Sequence, residues 1–125
     1  VVNVGAAQGY PVNLKGTTMG RKVTTITSEP TIGTSVTNIG SVTLPTAGTY
    51  VVTGVLHTSY SLNIQAGVGT SSGAASITAR ADNSDWLTVT RVIEVTSATT
   101  VYLVARASAS TVASSGTLIE YVKVN

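Results

Sequence analysis

His57 is the only histidine of the chain, with the hydroxyls of Ser59 and Ser61 close by and the carboxylates of Asp82 and Asp85 arriving from a distant stretch. Residues i, i+2 and i+4 of a strand share one face, so an imidazole, a hydroxyl and an imported carboxylate could assemble a nucleophilic relay. No GxSxG elbow accompanies them, and the expectation is a solvated or hydrogen-bonded histidine at a strand end. Asp82-Asn83-Ser84-Asp85 offers two carboxylates and an amide oxygen, the ligands that hard cations prefer, but without the spacing or the distal Glu of a calcium loop. A polar turn bonding its own backbone, with no metal, is the expectation there. The stretch leads into Trp86. An indole beside Asp82, Asn83, Asp85 and Arg80 supplies the flat apolar face and planar hydrogen-bonding groups of a saccharide patch; the plainer role is an anchor holding a loop to the fold. The glycine-rich GVGTSSG, residues 67–73, has neither a following helix nor the Lys of a phosphate loop, so no nucleotide cofactor is expected. The candidate ligand-binding residues are therefore Trp86, Asp82, Asn83, Asp85, Arg80, His57 and Tyr60; catalytic residues, metal and cofactor are expected to be absent.

The elements that must position these groups are strands. Thr and Ser supply 36 of the 125 residues and Val another 19, alternating in TYVVTG, SITARA, LTVTR and TVYLVARA. β-Branched side chains in period 2, punctuated by Gly, Pro, Asn and Ser, specify an all-β domain. RKVTTITSEP stops at Pro30, and SVTNIGSVTL carries Gly40 as a bulge or bend. A turn at Thr46-Ala47-Gly48 introduces about a dozen strand residues; GVGTSSGAAS reads as a loop, DNSD as a turn, Ser97-Ala98 as a turn, SASTVASSG as the last loop and TLIEYVKVN as the last strand. Eight or nine strands at this spacing predict an antiparallel β-sandwich or jelly roll over residues 21–125, preceded by an irregular lead-in over residues 1–20, with almost no helix.

Charged residues are only 10%, the net charge is +2 and the pI is near 9.2. The seven basic residues are scattered apart from Arg21-Lys22, so no contiguous basic footprint for nucleic acid is legible. No apolar run reaches the roughly 20 residues of a membrane-spanning helix, and membrane insertion is not expected. Zero Cys excludes disulfides and thiolate sites, leaving packing or assembly to provide stability. The start at Val1, with neither an initiator Met nor a signal peptide, predicts a processed product or a piece of something longer. The charge deficit predicts that identical copies shield part of the surface. Two-faced strands point the same way: Tyr50, Val52, Tyr102, Val104, Ile119 and Tyr121 occupy positions that would be polar on a lone sandwich, and are the expected subunit interface.

PTAGTYVVTGVLH, TRVIEVTSATTVYLVARAS and the terminal TLIEYVKVN, in that order over residues 45–125, resemble the C1q/TNF-like jelly roll found in trimeric heads of bacteriophage tail fibres and receptor-binding proteins. Where that family typically turns through Gly-Asp, this chain has Ser97-Ala98-Thr99, and the family's Phe-rich core is missing. The resemblance implies a homotrimer packed through the sheet holding the last strand. Loops at residues 55–60, 67–75, 82–86 and 108–115 would bind a host-surface glycan or protein, and the location would be extracellular, at the virion's fibre tip. Three weak sites at fixed spacing raise avidity a hundredfold or more. The alternatives are a jelly-roll capsid, coat or decoration protein, and, third, a glycan-active or esterase domain using His57.

Overall fold

A computed structural model describes residues 20–125, which contain eight strands: β1 (Arg21–Thr25), β2 (Thr31–Ile32), β3 (Thr37–Leu44), β4 (Gly48–Gly69), β5 (Ala79–Val95), β6 (Thr99–Ala107), β7 (Thr111–Val112) and β8 (Leu118–Lys123). The expected lead-in over residues 1–20 lies, apart from Gly20, outside the described residues. All pairings are antiparallel, and the only helical turn among the described residues is a 3₁₀ turn at Ala74–Ser76.

Two strands are much longer than the text predicts. β4 runs through 22 residues and β5 through 17, forming one ribbon that bends from one layer of the sandwich into the other. The first part of β4 lies between β8, with Tyr50↔Lys123 to Val55↔Leu118, and the second part of β5, with Gly48↔Val95 to His57↔Trp86. Its second part lies between β6, with Ile64↔Ala107 to Gly69↔Tyr102, and the start of β5, with Ile64↔Ala81 to Ala66↔Ala79. β1 extends the first layer beyond β8, and β3 extends the second beyond β6. The register slips between His57 and Leu62 and again before Ile64, which is how a strand turns a sandwich corner. DNSD is consequently no turn: Asp82 to Asp85 stay within β5, and the bend is absorbed by Asn83 at φ 50°, a conformation Asn tolerates better than most residues.

The fold is an antiparallel β-sandwich of jelly-roll form, and its inner faces follow the period-2 rule. Tyr50, Val52, Leu56, Ile64, Ala66 and Val68 of β4 meet Val101, Leu103 and Ala105 of β6 and Ile119 of β8 in one core. Gly54 keeps the layers close, since a Cβ there would meet Leu103 Cδ1 at 2.7 Å and Val68 Cγ1 at 2.8 Å. The expected subunit interface is overturned here. Tyr50, Val52, Val104 and Ile119 are fully buried within the single chain and Tyr121 nearly so, leaving only Tyr102 half-buried on an outer face. Alternation separates two faces without saying which is inward. The Tyr50 ring turns inward because its hydroxyl finds a partner at the core's edge, donating to the Thr46 carbonyl at 2.8 Å, while the ring meets Tyr121 edge-on at 5.3 Å. Val104 lies outward but beneath the 70–78 loop, which packs so tightly that a Cβ on Gly67 would stand 1.6 Å from the Ser76 carbonyl oxygen.

The apolar surface lies on the outer face of the first layer. Val92 is 65% exposed and pairs with Val51, which pairs on its other side with Val122; Val23 and Val124 belong to the same layer and are also exposed.

Candidate functional site

Trp86 and His57 are direct partners on adjacent strands, and their rings stack with centroids 3.9 Å apart and planes 6° from parallel. Trp86 still exposes 49% of its surface, so with one indole face on the imidazole the opposite face is open to solvent. Four polar contacts hold the pair. His57 Nδ1 donates to the Ser115 carbonyl at 2.7 Å, and His57 Nε2 stands 3.6 Å from Asp85 Oδ2. Ser84 Oγ accepts from the Trp86 amide at 3.2 Å and donates to the Trp86 carbonyl at 2.9 Å, fixing the backbone from which the indole projects. The benzo edge reaches Gly116, where a Cβ would come 2.7 Å from Trp86 Cη2; with φ at 101°, this position needs glycine for both space and conformation.

Gly116 and Ser115 also line a shallow cleft of about 240 Å³, together with Thr25, Ile26, Thr27 and Glu29. Gly116 is thus shared between the seat of the indole and a cleft with hydroxyl and carboxylate rims.

Of the seven ligand-binding residues expected from the sequence, His57, Trp86 and Asp85 come together. Arg80 and Asp82 pair with each other in a fork, at 2.9 and 3.1 Å, on the solvent side of β5. The Arg80 hydrogen bond holds the Asp82 carboxyl below its ordinary range, and the guanidinium is correspondingly raised. Asn83 is committed to the corner, its amide donating to Asn63 Oδ1 at 3.0 Å. Tyr60 sits on the β4 bulge with its hydroxyl donating to the Ser110 carbonyl, so it braces a loop and does not join the indole. Candidate loops 55–60 and 82–86 fall within strands, whereas 108–115 is mostly loop and surrounds the short β7.

The hydrolytic relay is not assembled. Ser59 Oγ bonds Thr111 Oγ1 at 2.8 Å, and both His57 nitrogens face oxygens that cannot act as nucleophilic hydroxyls, a carbonyl and a carboxylate. No cluster of three His, Cys, Asp or Glu side chains with metal-binding geometry occurs among the described residues. Sequence reasoning missed Ser115 and Gly116, because nothing in SASTVASSG marks a glycine lying under an indole thirty residues upstream.

No protein family and no curated protein matches the sequence. Among solved structures, the C-terminal CBM6 of LamC, a marine laminarinase from Zobellia galactanivorans, aligns over 83% of this chain and 100% of its own, at 11% identity and a TM-score of 0.42. A likeness of that size leaves the function to be argued from the site itself.

Proposed function

We propose that this domain is a non-enzymatic saccharide-binding module whose platform is the open face of Trp86. The observation that carries the reading is the buttressed indole: stacked on His57, seated over Gly116 and held out of the core with half its surface in water. An indole serving only as a fold anchor would turn its faces into the protein. The C–H face of a pyranose ring complements the negative face of an aromatic ring, while Asp85 and the hydroxyls of the neighbouring cleft supply acceptors and donors for the sugar's rim. A site of this shape binds weakly alone, so copies at fixed spacing raise its avidity. The row of exposed Val92 with half-buried Val51 and Val122 is the surface through which we propose that identical copies associate, with the trimer of the C1q/TNF-like resemblance as the assembly to test.

Trp86 is the only tryptophan, so its emission reports directly on the platform. Glycan-array hits titrated by fluorescence should perturb that emission, and Trp86→Ala should weaken binding at least tenfold, about 1.4 kcal/mol. Unchanged binding by Trp86→Ala refutes the platform. Light scattering separates the two surfaces: Val92→Lys should dissociate the assembly and Trp86→Ala should leave it intact. Dissociation by Trp86→Ala alone would make the indole an assembly contact.

A further inference from the structure

A second cleft lies elsewhere, on the outer face of the second layer, where β4 runs between β5 and β6. Gln65 is the register partner of Arg106 on one side and of Arg80 on the other. Strand spacing puts the two arginine backbones about 10 Å apart, with the Gln65 amide between them. Arg106 Nε donates to Gln65 Oε1 at 2.6 Å, which fixes the guanidinium plane through one of its five donors. The cleft holds about 360 Å³, with Thr34, Asn63 and Ser108 among its polar lining.

Charge completes the description. The ion pairs of the described residues are Arg21–Glu120, His57–Asp85 and Arg80–Asp82. Arg106 pairs with no carboxylate there, and residues 1–19 contain neither Asp nor Glu to supply one. Arg80 is neutralised by Asp82, so the cleft holds one half-buried positive charge, already oriented and with its terminal N–H groups uncommitted to a carboxylate. A guanidinium fork matches a planar carboxylate in two parallel hydrogen bonds, a geometry that an ammonium does not offer.

We propose that this cleft is a subsite for the carboxylate of an acidic saccharide, a uronate-type sugar, read by Arg106 with Gln65 holding its orientation. Its nature as a sugar site rests on the saccharide reading of Trp86, whereas the preference for a carboxylate stands on the Arg106 geometry alone. Arg80 and Trp86 lie on the same strand six residues apart, at most about 20 Å along the ribbon, so one oligosaccharide could engage both places.

The test uses the whole chain at low ionic strength, where the charge is least screened. The probes are an oligogalacturonate, its carboxyl-reduced neutral form, a sulfated neutral oligosaccharide, and glucuronate as a monosaccharide. Two readouts are followed, Trp86 fluorescence and the Arg106 Nε–H resonance. The expected result is at least tenfold tighter binding of the uronate than of its reduced form. Arg106→Gln should abolish that preference while leaving the weaker binding of the neutral form, and Arg106→Lys, which keeps the charge and loses the fork, should lower the preference several-fold. Glucuronate should shift the Arg106 resonance in the parent and in Trp86→Ala alike; that outcome upholds the subsite even if no sugar perturbs Trp86 and the platform reading fails. Equal affinity for uronate and reduced forms, an unmoved Arg106 resonance, or a preference for the sulfated probe that survives Arg106→Lys would overturn it.

Discussion

Gly116→Ala tests the link between a turn's backbone and the candidate platform. The new methyl group meets two separable obstacles. Its residue would have to hold φ at 101°, which costs an L-residue about 1–2 kcal/mol. Its Cβ would also lie 2.7 Å from Trp86 Cη2 and 3.2 Å from Cζ3, so the indole must leave its rotamer, at about 0.5–1.5 kcal/mol, and lose its parallel seat on His57. Together the loss is about 2–3 kcal/mol, or roughly 8–12 °C in melting temperature for a domain of this size. A cycle with Trp86→Ala separates the parts, because deleting the indole removes the clash and leaves the strain, so the second substitution should cost about 1 kcal/mol less in that background. Thermal melts give the energies, and the single-tryptophan emission reports displacement of the ring. Melting within about 2 °C of the parent, with unchanged emission, would refute the seat of the indole on this turn and the site built on it.

Two further outcomes follow from the core. Tyr50→Phe keeps the ring against Tyr121 but removes the hydroxyl bonded to the Thr46 carbonyl, and chemical denaturation should show a loss of about 1 kcal/mol with an unchanged slope. Burial, and secondarily the neighbouring Tyr50, raises the Tyr121 phenol above its ordinary value of 10.0. The stability linked to that shift is fully present below the unfolded pKa and is lost as pH rises through the folded one. Denaturation midpoints should therefore fall above about pH 10 in the parent and fall less in Tyr121→Phe; identical alkaline profiles would contradict this.

Much of the fold is legible in the text. Pro30, Pro45 and Ser97-Ala98 fall between strands where the turn signals put them, and Gly40 falls where β3 slips register between Asn38 and Gly40 against β6. In β5 the alternation holds: Val89, Ile93 and Val95 are buried and Leu87 half-buried at one phase, while Arg91 at that same phase is exposed, its guanidinium reaching back to the Val68 carbonyl at 3.4 Å. What failed has physical causes. Local turn chemistry in DNSD and at Gly67 was overridden by pairing to distant strands, which sustains a ribbon where propensity alone would end it. Period 2 is symmetric between inside and outside, so alternation alone does not tell that Tyr50 and Tyr121 turn inward while Tyr102 stays on an outer face. Within the site, Trp86, His57 and Asp85 were recognisable by residue type. Gly116, and the Arg106–Gln65 pair whose members stand 41 positions apart, depend on register, which no local spacing encodes.

The outermost strand of the first layer, β1, lies against β8, and the Lys123 amide donates to the Gly20 carbonyl at 3.0 Å. The two ends of the described chain therefore emerge side by side, in the row that runs from Arg21 through Val122 and Val51 to Val92, while Trp86 lies six residues further along β5. Anything tethered through either end would grip the domain at one pole and leave the indole facing away at the other. A surface immobilised through residue 20 or residue 125 should therefore present the same outward tip, and sugars in free solution should reach it unobstructed.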